Sequence, residues 1–145
     1  AEHLLHVSDR GIEQMAQTKT VGVLLPATAF SLREPFAPAR AMIDAGVPVA
    51  LATDFNPGSC YTHSIPLVIA LAALSMQMTP AEIITALTVN AAAAVGAADR
   101  IGSLEEGKQA DIIILEEPSH LFLPYRVGMN LVETVIKKGK IVSGH

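Results

Sequence analysis

Residues 49–59 read VALATDFNPGS. An apolar run ends in Thr53 and Asp54, and a loop of Asn, Pro and Gly follows. A carboxylate at the tip of an apolar strand is costly unless it meets a cation, a hydrogen-bond network or water. In parallel α/β folds, functional side chains lie at the carboxyl ends of strands. The stretch therefore predicts a buried parallel strand with a candidate functional residue, Asp54, at its end.

Upstream of this stretch, apolar runs alternate with helical patterns. Residues 3–8 and 20–30 predict two more strands, and the second of them has its tip near Pro26. Ser8 is a candidate N-cap for a helix between these strands, and residues 37–47 predict a second helix that stops at a glycine. The strands are continuously apolar rather than alternating, which is typical of parallel strands buried on both faces.

Two helices are predicted after the loop. Residues 64–77 are apolar almost all round, which favours a buried helix. Residues 79–96 open with a capping box formed by Thr79 and Glu82, with a proline at the first helical position. We therefore expect one apolar helix and one long capped helix after the third strand.

The pattern changes after the second of these helices. Residues 112–115 form an apolar run that predicts a strand, and residues 131–144 predict a hairpin that turns at residues 138–139. We therefore divide the chain into residues 1–98, with alternating strands and helices, and residues 99–145, with β-strands of another layer.

Composition excludes several classes of partner. The chain has 145 residues, a net charge of −4 and a pI near 5.7, so no basic surface is expected to bind nucleic acid. It has no Trp, two Tyr and four Phe, too few for base stacking. The longest strongly apolar stretch, residues 65–76, is shorter than the roughly 20 residues that a membrane span needs.

The ends of the chain and its single cysteine suggest where it works. Cys60 has no second cysteine to pair with, which fits a reducing compartment. The N-terminus has no basic leader before a long apolar core, so we predict a cytoplasmic location. It also lacks an initiator Met, and we expect the chain to be a piece of something larger.

Asp54 and His3 are candidate metal ligands from their positions at predicted strand ends. The pattern leaves plainer roles open, because a strand-ending Asp often caps the next helix or braces a loop. His3 lies at a strand end only if its strand begins earlier. A catalytic zinc site usually takes three protein ligands, so these two residues alone do not complete one.

Four motifs cover much of the chain. They are ATDFNPGS (52–59), MTPAEIITALTVNAAAAVG (78–96), IGSLEEGKQADIIIL (101–115) and LPYRVGMN (123–130). The G-x-L-x-x-G-K-x-A-D string of the third motif is shared across the amidohydrolase superfamily, whereas the first and last motifs are more specific. Together the motifs resemble the imidazolonepropionase family of metal-dependent amidohydrolases.

The resemblance implies an α/β fold, the C-terminal part of a TIM-like (β/α)8 metal-dependent hydrolase barrel plus strands of a small flanking β-sandwich. Residues 1–98 would be the last βα units of the barrel, and residues 99–145 the C-terminal strands of the composite sandwich. A full barrel takes roughly 250 residues. The N-terminal portion of the same enzyme, with the remaining metal ligands, would therefore be needed to complete the fold.

The resemblance also implies the site residues. Asp54 would bind the metal, zinc or iron, and act as partner of the attacking water, while His3 would lie near that water and the substrate carbonyl. Asn56, Gly58 and Ser59 would form the loop that contacts the substrate.

The activity implied by the resemblance is hydrolysis of 4-imidazolone-5-propanoate to N-formimidoyl-L-glutamate, in an enzyme that is a possible homodimer. Two alternatives stay open. One is another cyclic-amide hydrolase or a nucleobase aminohydrolase of the same superfamily. The other is a non-catalytic fragment or interaction module, because the chain has one clear metal ligand.

Overall fold

The computed structural model describes residues 1–144 of the chain. Within them, no helix is both long and apolar enough to span a bilayer. The elements are, in order, α1 (Asp9–Thr18), β1 (Gly22–Leu24), α2 (Pro26–Leu32), α3 (Ala39–Asp44), β2 (Val49–Leu51), α4 (Ile65–Leu74), α5 (Pro80–Leu87), α6 (Val89–Ala94), β3 (Ile112–Leu115), α7 (Phe122–Tyr125), β4 (Val132–Lys137) and β5 (Lys140–Ser143). Helices α3, α5 and α6 pack against β2, and α4 packs against α2, α5 and α7.

The parallel sheet is built around β1, which pairs with β2 in parallel, Val23 lying opposite Ala50. On the other side of β1, the Val23 amide donates to the Ala1 carbonyl (2.7 Å), and the Val23 carbonyl accepts from the His3 amide (3.1 Å). These two bonds form a parallel bridge between Glu2 and Val23. Three chain segments therefore run in the same direction, and their carboxyl ends lie along one edge.

Local capping explains where two of the helices begin. The Ser8 hydroxyl accepts a hydrogen bond from the Gly11 amide (3.2 Å) at the start of α1. At α5, the Thr79 hydroxyl accepts from the Glu82 amide (3.3 Å), and the Glu82 carboxylate accepts from the Thr79 amide (2.8 Å). These bonds satisfy amides that have no partner inside the helix. Both predicted helix starts are confirmed.

Residues 3–8 do not form the predicted strand. The pairing of the N-terminus with β1 ends at Glu2, before this segment begins. The next two residues, His3 and Leu4, have φ values of 63° and 59°. This left-handed backbone cannot continue a β ladder. The prediction was wrong because the apolar residues of this segment lie in a turn, where Leu4 and Leu5 pack against the core.

Two further predicted elements are divided differently. The strand predicted at residues 20–30 ends at Leu24, and Pro26 then begins α2, because proline fits the first helical turn and cannot donate to a sheet. The helix predicted at residues 79–96 is broken at Thr88, whose φ and ψ are −121° and −85°.

The core lies between the parallel sheet and the helices. A Cβ on Gly22 would lie 2.6 Å from Cε of Met42, so this glycine lets α3 approach β1 closely. The apolar helix α4 was predicted to be buried, and only one of its faces is. Val68 and Ala72 are buried, whereas Leu74 is 69% exposed. The largest fully buried side chains are Leu24, Met42, Ile83, Leu131, Val68, Pro26 and Cys60.

The tail forms an antiparallel sheet in the order β3–β4–β5. The predicted hairpin is confirmed, and its turn residues Lys138 and Gly139 have φ values of 51° and 74°, as a two-residue hairpin loop requires. The boundary at residue 98 stays a prediction. His145, the last residue of the predicted tail, lies outside the described residues.

Candidate active site

Asp54 lies at the carboxyl edge of the parallel sheet, in the loop that follows β2. Its side chain is half-buried, and its backbone φ is 53°. Oδ2 of its carboxylate accepts a 2.7 Å hydrogen bond from the Thr28 hydroxyl. Such left-handed conformations in non-glycine residues are strained and cluster at functional sites. The edge of the sheet thus holds a carboxylate whose conformation is fixed by its surroundings.

Thr28 is the residue at this edge that sequence reasoning missed. It lies in α2, directly after β1, and is only 3% exposed. The apolar run at residues 20–30 predicts a strand, and that pattern assigns no functional role to Thr28. The available signal was a hydroxyl residue two positions after Pro26 in an otherwise apolar run.

The side chain of Asn56 organises the loop after Asp54. Its Nδ2 donates to the Asp54 carbonyl (2.7 Å) and to the Ser59 hydroxyl (3.1 Å). Its Oδ1 accepts from the amides of Gly58 and Ser59, both at 2.8 Å. An amide side chain has two donor hydrogens and two acceptor lone pairs, so these bonds use its full capacity. All three predicted substrate contacts, Asn56, Gly58 and Ser59, therefore lie together in one hydrogen-bonded turn.

Cys60 closes the loop. The Asn56 amide donates to the Cys60 carbonyl (2.9 Å), and the Cys60 thiol, which is buried, donates to the Thr53 carbonyl (3.3 Å). Cys60 is thereby held in the core, a few residues before α4 begins. The loop is therefore held by its own side chains at both ends.

His3 lies at the same edge as Asp54, immediately after the bridge at Glu2. Its amide donates to the Val23 carbonyl, which fixes its backbone, and its side chain is exposed. The end of β1 and the start of α2 lie between the segments that carry His3 and Asp54. The topology thus brings both predicted catalytic residues to one edge, and their roles stay predictions.

The residues at this edge fit part of a metal site. The hydrogen bond that Asp54 accepts from Thr28 uses Oδ2, and a carboxylate has a second oxygen that can bind a cation. Within residues 1–144, no group of three or more His, Cys, Asp or Glu side chains is placed to hold a metal. Asp54 therefore fits as one ligand of a metal ion, and the described residues supply no set of three such ligands.

An aromatic cluster begins at the residue after Asp54. The rings of Phe55 and Tyr61 are 5.1 Å apart, and those of Phe55 and His63 are 5.8 Å apart and nearly perpendicular. All three side chains are exposed. The loop thus presents an aromatic rim that the sequence motifs did not predict.

Sequence comparison adds independent evidence. The profile of the Amidohydrolase family matches residues 1–142. The chain is 63% identical over 141 residues to an imidazolonepropionase of Parabacteroides distasonis and 60% identical over 142 residues to one of Clostridium tetani. These alignments cover 97% and 98% of the chain, and the chain spans about a third (34%) of each relative.

Structure comparison supports the same family. An adenosine deaminase from Xanthomonas campestris with bound zinc matches 99% of the chain with a TM-score of 0.89 and 27% identity. An atrazine chlorohydrolase from Arthrobacter aurescens, complexed with zinc, matches 99% with a TM-score of 0.84 and 21% identity. The chain covers 36% and 35% of these two structures.

These matches confirm the predicted fold class, part of a metal-dependent hydrolase barrel with flanking strands, and the resemblance carried by the motifs. Both of these solved structures contain zinc. From the profile match over residues 1–142, the chain belongs to the amidohydrolase family.

Proposed function

We propose that the whole protein hydrolyses 4-imidazolone-5-propanoate to N-formimidoyl-L-glutamate, a step of histidine degradation. The observation that carries this proposal is the loop after β2, where the DFNPGS motif fixes Asp54 at the sheet edge. Water adds to the ring carbonyl carbon, the C–N bond of the cyclic amide breaks, and the ring nitrogen takes the proton. The high identity to imidazolonepropionases supports this substrate over others of the superfamily.

Asp54 and His3 perform the proton transfer and charge stabilisation in this proposal. Asp54 accepts a proton from the attacking water and later returns it to the leaving nitrogen. His3 stabilises the negative charge that develops on the carbonyl oxygen, or orients the water. Both side chains lie at the carboxyl ends of parallel segments, where the active sites of barrel enzymes form.

The cofactor in this proposal is one zinc or iron ion, bound by Asp54 and by ligands from the rest of the enzyme. When bound, such an ion lowers the pKa of a coordinated water to about 7. The half-buried carboxylate of Asp54, held through Oδ2, supports this assignment because it retains an oxygen for a cation.

The substrate lies against the loop of Asn56, Gly58 and Ser59 in this proposal. Asn56 holds the loop in shape, since its side chain bonds to both other residues. Gly58 has no side chain, so its backbone can approach a ligand closely. The polar end of the ring-opened product is therefore held by backbone and hydroxyl groups that Asn56 positions.

The rest of the enzyme completes the site. Residues 1–98 are the last βα units of the barrel, and residues 99–145 are strands of a composite β-sandwich, in this proposal. The N-terminal portion supplies the other strands and ligands, and a homodimer in the cytoplasm is the assembly we expect. The chain's length, a third of its relatives, supports the need for this portion.

A second candidate is a nucleobase aminohydrolase, and the likeness to an adenosine deaminase favours it. The two reactions differ in their products, because deamination releases ammonia and opening of the imidazolone ring does not. The third candidate, a non-catalytic fragment, is tested by metal content and activity together.

The test uses the full-length enzyme that carries this chain. We expect it to contain about one metal per chain and to consume 4-imidazolone-5-propanoate without releasing ammonia. Asp54→Asn should lower kcat on the order of 10²–10⁴-fold and release the metal, since it removes both the ligand and the base.

The matched control is Asp99→Asn, which changes an exposed carboxylate paired at 3.9 Å with Arg100. It should leave kcat and metal content unchanged. Ammonia release from adenosine would favour the aminohydrolase, and full activity of Asp54→Asn would refute the role proposed for Asp54.

A further inference from the structure

Thr28 and Asp54 are linked across the edge of the parallel sheet. The Thr28 hydroxyl is buried within α2 and donates to Oδ2 of Asp54 at 2.7 Å, although the residues are 26 positions apart. Resting on the proposed function, we infer that Thr28 is a positioning residue that fixes the Asp54 carboxylate through Oδ2 and leaves Oδ1 as the oxygen that would bind the metal.

Other helical hydroxyls in this chain bond within their own helix. Ser31 donates to the Ala27 carbonyl (2.8 Å), and Thr85 donates to the Ala81 carbonyl (2.9 Å), each four residues back. Thr28 instead donates its hydroxyl to a carboxylate in the loop after β2. This bond links α2 to that loop rather than to a turn of its own helix.

The carbonyl four residues before Thr28 belongs to Leu24, and it already accepts from the Ala52 amide (3.2 Å) in the sheet. Leu24 lies in β1, before α2 begins, so Thr28 has no helical carbonyl four residues back, and its hydroxyl bonds to Asp54 instead. A hydrogen bond to an ionised acceptor is roughly twice as strong as a neutral one, so the contact can hold a rotamer.

Asp54 is then held at two points. The Asn56 side chain fixes the Asp54 carbonyl (2.7 Å), and Thr28 fixes the carboxylate. With the backbone at a φ of 53° and one carboxylate oxygen engaged, the other oxygen has a defined direction. Groups that orient a metal ligand in this way change metal affinity when they are removed.

The test compares Thr28→Val and Thr28→Ser in the full-length enzyme, with zinc as the probe. Valine keeps the shape and removes the donor, so the zinc dissociation constant, measured by chelator competition, should rise about 10–100-fold. Serine keeps the donor and should retain near wild-type affinity. At saturating zinc, Thr28→Val should lower kcat while KM changes little.

Thr85→Val is the matched control, because it removes a helical hydroxyl that bonds locally on an exposed surface. It should not change zinc affinity. If Thr28→Val fails to fold, Thr28→Ala and Thr28→Ser differ by one oxygen, and only the alanine variant should weaken zinc binding.

The outcomes separate this inference from the proposed function. A wild-type enzyme that neither binds zinc nor opens the ring would overturn the proposed function and the inference with it. A wild-type enzyme that does both, with Thr28→Val and Thr28→Ala binding zinc as tightly, would overturn the inference alone.

Discussion

In the parallel part of the molecule (the residues up to the end of α6), helices cover the sheet. In the antiparallel tail (the residues after α6), strand β5 is left uncovered. All three residues of β2 are buried, and helices α3, α5 and α6 pack against this strand. In β5 every residue is exposed, with Ile141 at 72% and Val142 at 62%. An apolar sheet face of this kind needs a partner layer. The helices of the chain therefore cover β2, whereas β5 presents apolar residues to solvent.

The largest expected effect is on the isolated 145-residue chain. We expect it to aggregate and to lack activity, because the uncovered tail and the open edges of the parallel sheet pair with other copies. Size-exclusion chromatography with light scattering measures this directly. Co-expression with the N-terminal portion of the enzyme is the control and should restore a monodisperse species.

A monomeric, metal-replete and active 145-residue chain would contradict that expectation. It would mean that the exposed residues of β5 are tolerated in water and that the chain supplies more metal ligands than Asp54. The exposed tail would then be as stable in isolation as the part whose sheet is covered by helices.

The sequence predicted those elements whose signals are local. The N-cap at Ser8, the capping box at Thr79 and the turn at residues 138–139 all depend on neighbours a few positions away. Glycine and capping residues impose backbone geometry wherever they occur, so these predictions were right.

Other features depend on contacts between distant segments. The apolar run at residues 20–30 suits a strand or a buried helix equally well, so its division at Pro26 could not be read from periodicity. The turn at His3 follows from the end of sheet pairing. The bond from Thr28 to Asp54 joins the first turn of α2 to the loop after β2, and the parallel register of β1 and β2 brings these residues together.

Gly102, at the start of the tail, lies in tight contact with the parallel part. A Cβ on Gly102 would lie 2.6 Å from Cβ of Ala92 and 3.0 Å from the Thr88 carbonyl oxygen, and φ is 97°. Gly102→Ala should therefore destabilise the full-length enzyme by about 1–3 kcal/mol through overpacking, in addition to backbone strain. Urea unfolding measures this free energy.

Gly107→Ala is the matched control for Gly102→Ala. Its φ is 90°, and an added Cβ would meet nothing within 4 Å, so it introduces the strain without the clash. Equal destabilisation by the two substitutions would show that the start of the tail is loosely packed. The start of the tail would then resemble β5, whose residues are exposed.

The smallest expected effect concerns two ion pairs, one in each part. In the parallel part, Arg40 donates to both carboxylate oxygens of Glu82 (3.0 and 2.9 Å) and holds the pKa of Glu82 at about 2. In the tail, hydrogen bonds from the Lys137 side chain and the Lys138 amide lower the pKa of Asp111 to about 2.

Both carboxylates should stabilise the folded enzyme above their ordinary pKa values of 4.5 for Glu82 and 3.8 for Asp111. Because the folded pKa is lower, the unfolded state binds protons more readily, and the contribution is lost as the pH falls toward 2. Glu82→Gln should cost about 1 kcal/mol near neutral pH, as partly exposed pairs do. Thermal unfolding at several pH values measures it.

The pH dependence distinguishes the two parts. For Glu82→Gln, the difference in unfolding temperature from wild type should shrink as the pH falls below 4.5. The reason is that the ionised Glu82 carboxylate of the wild type then contributes less to stability through its pairing with Arg40. Asp111→Asn should behave alike only if the hairpin unfolds together with the parallel part. If the tail separates first, Asp111→Asn should leave the main transition unchanged while hydrogen exchange of the β4 and β5 amides accelerates. That result would identify the tail as a separate unfolding unit and the parallel part as the stable support of Asp54.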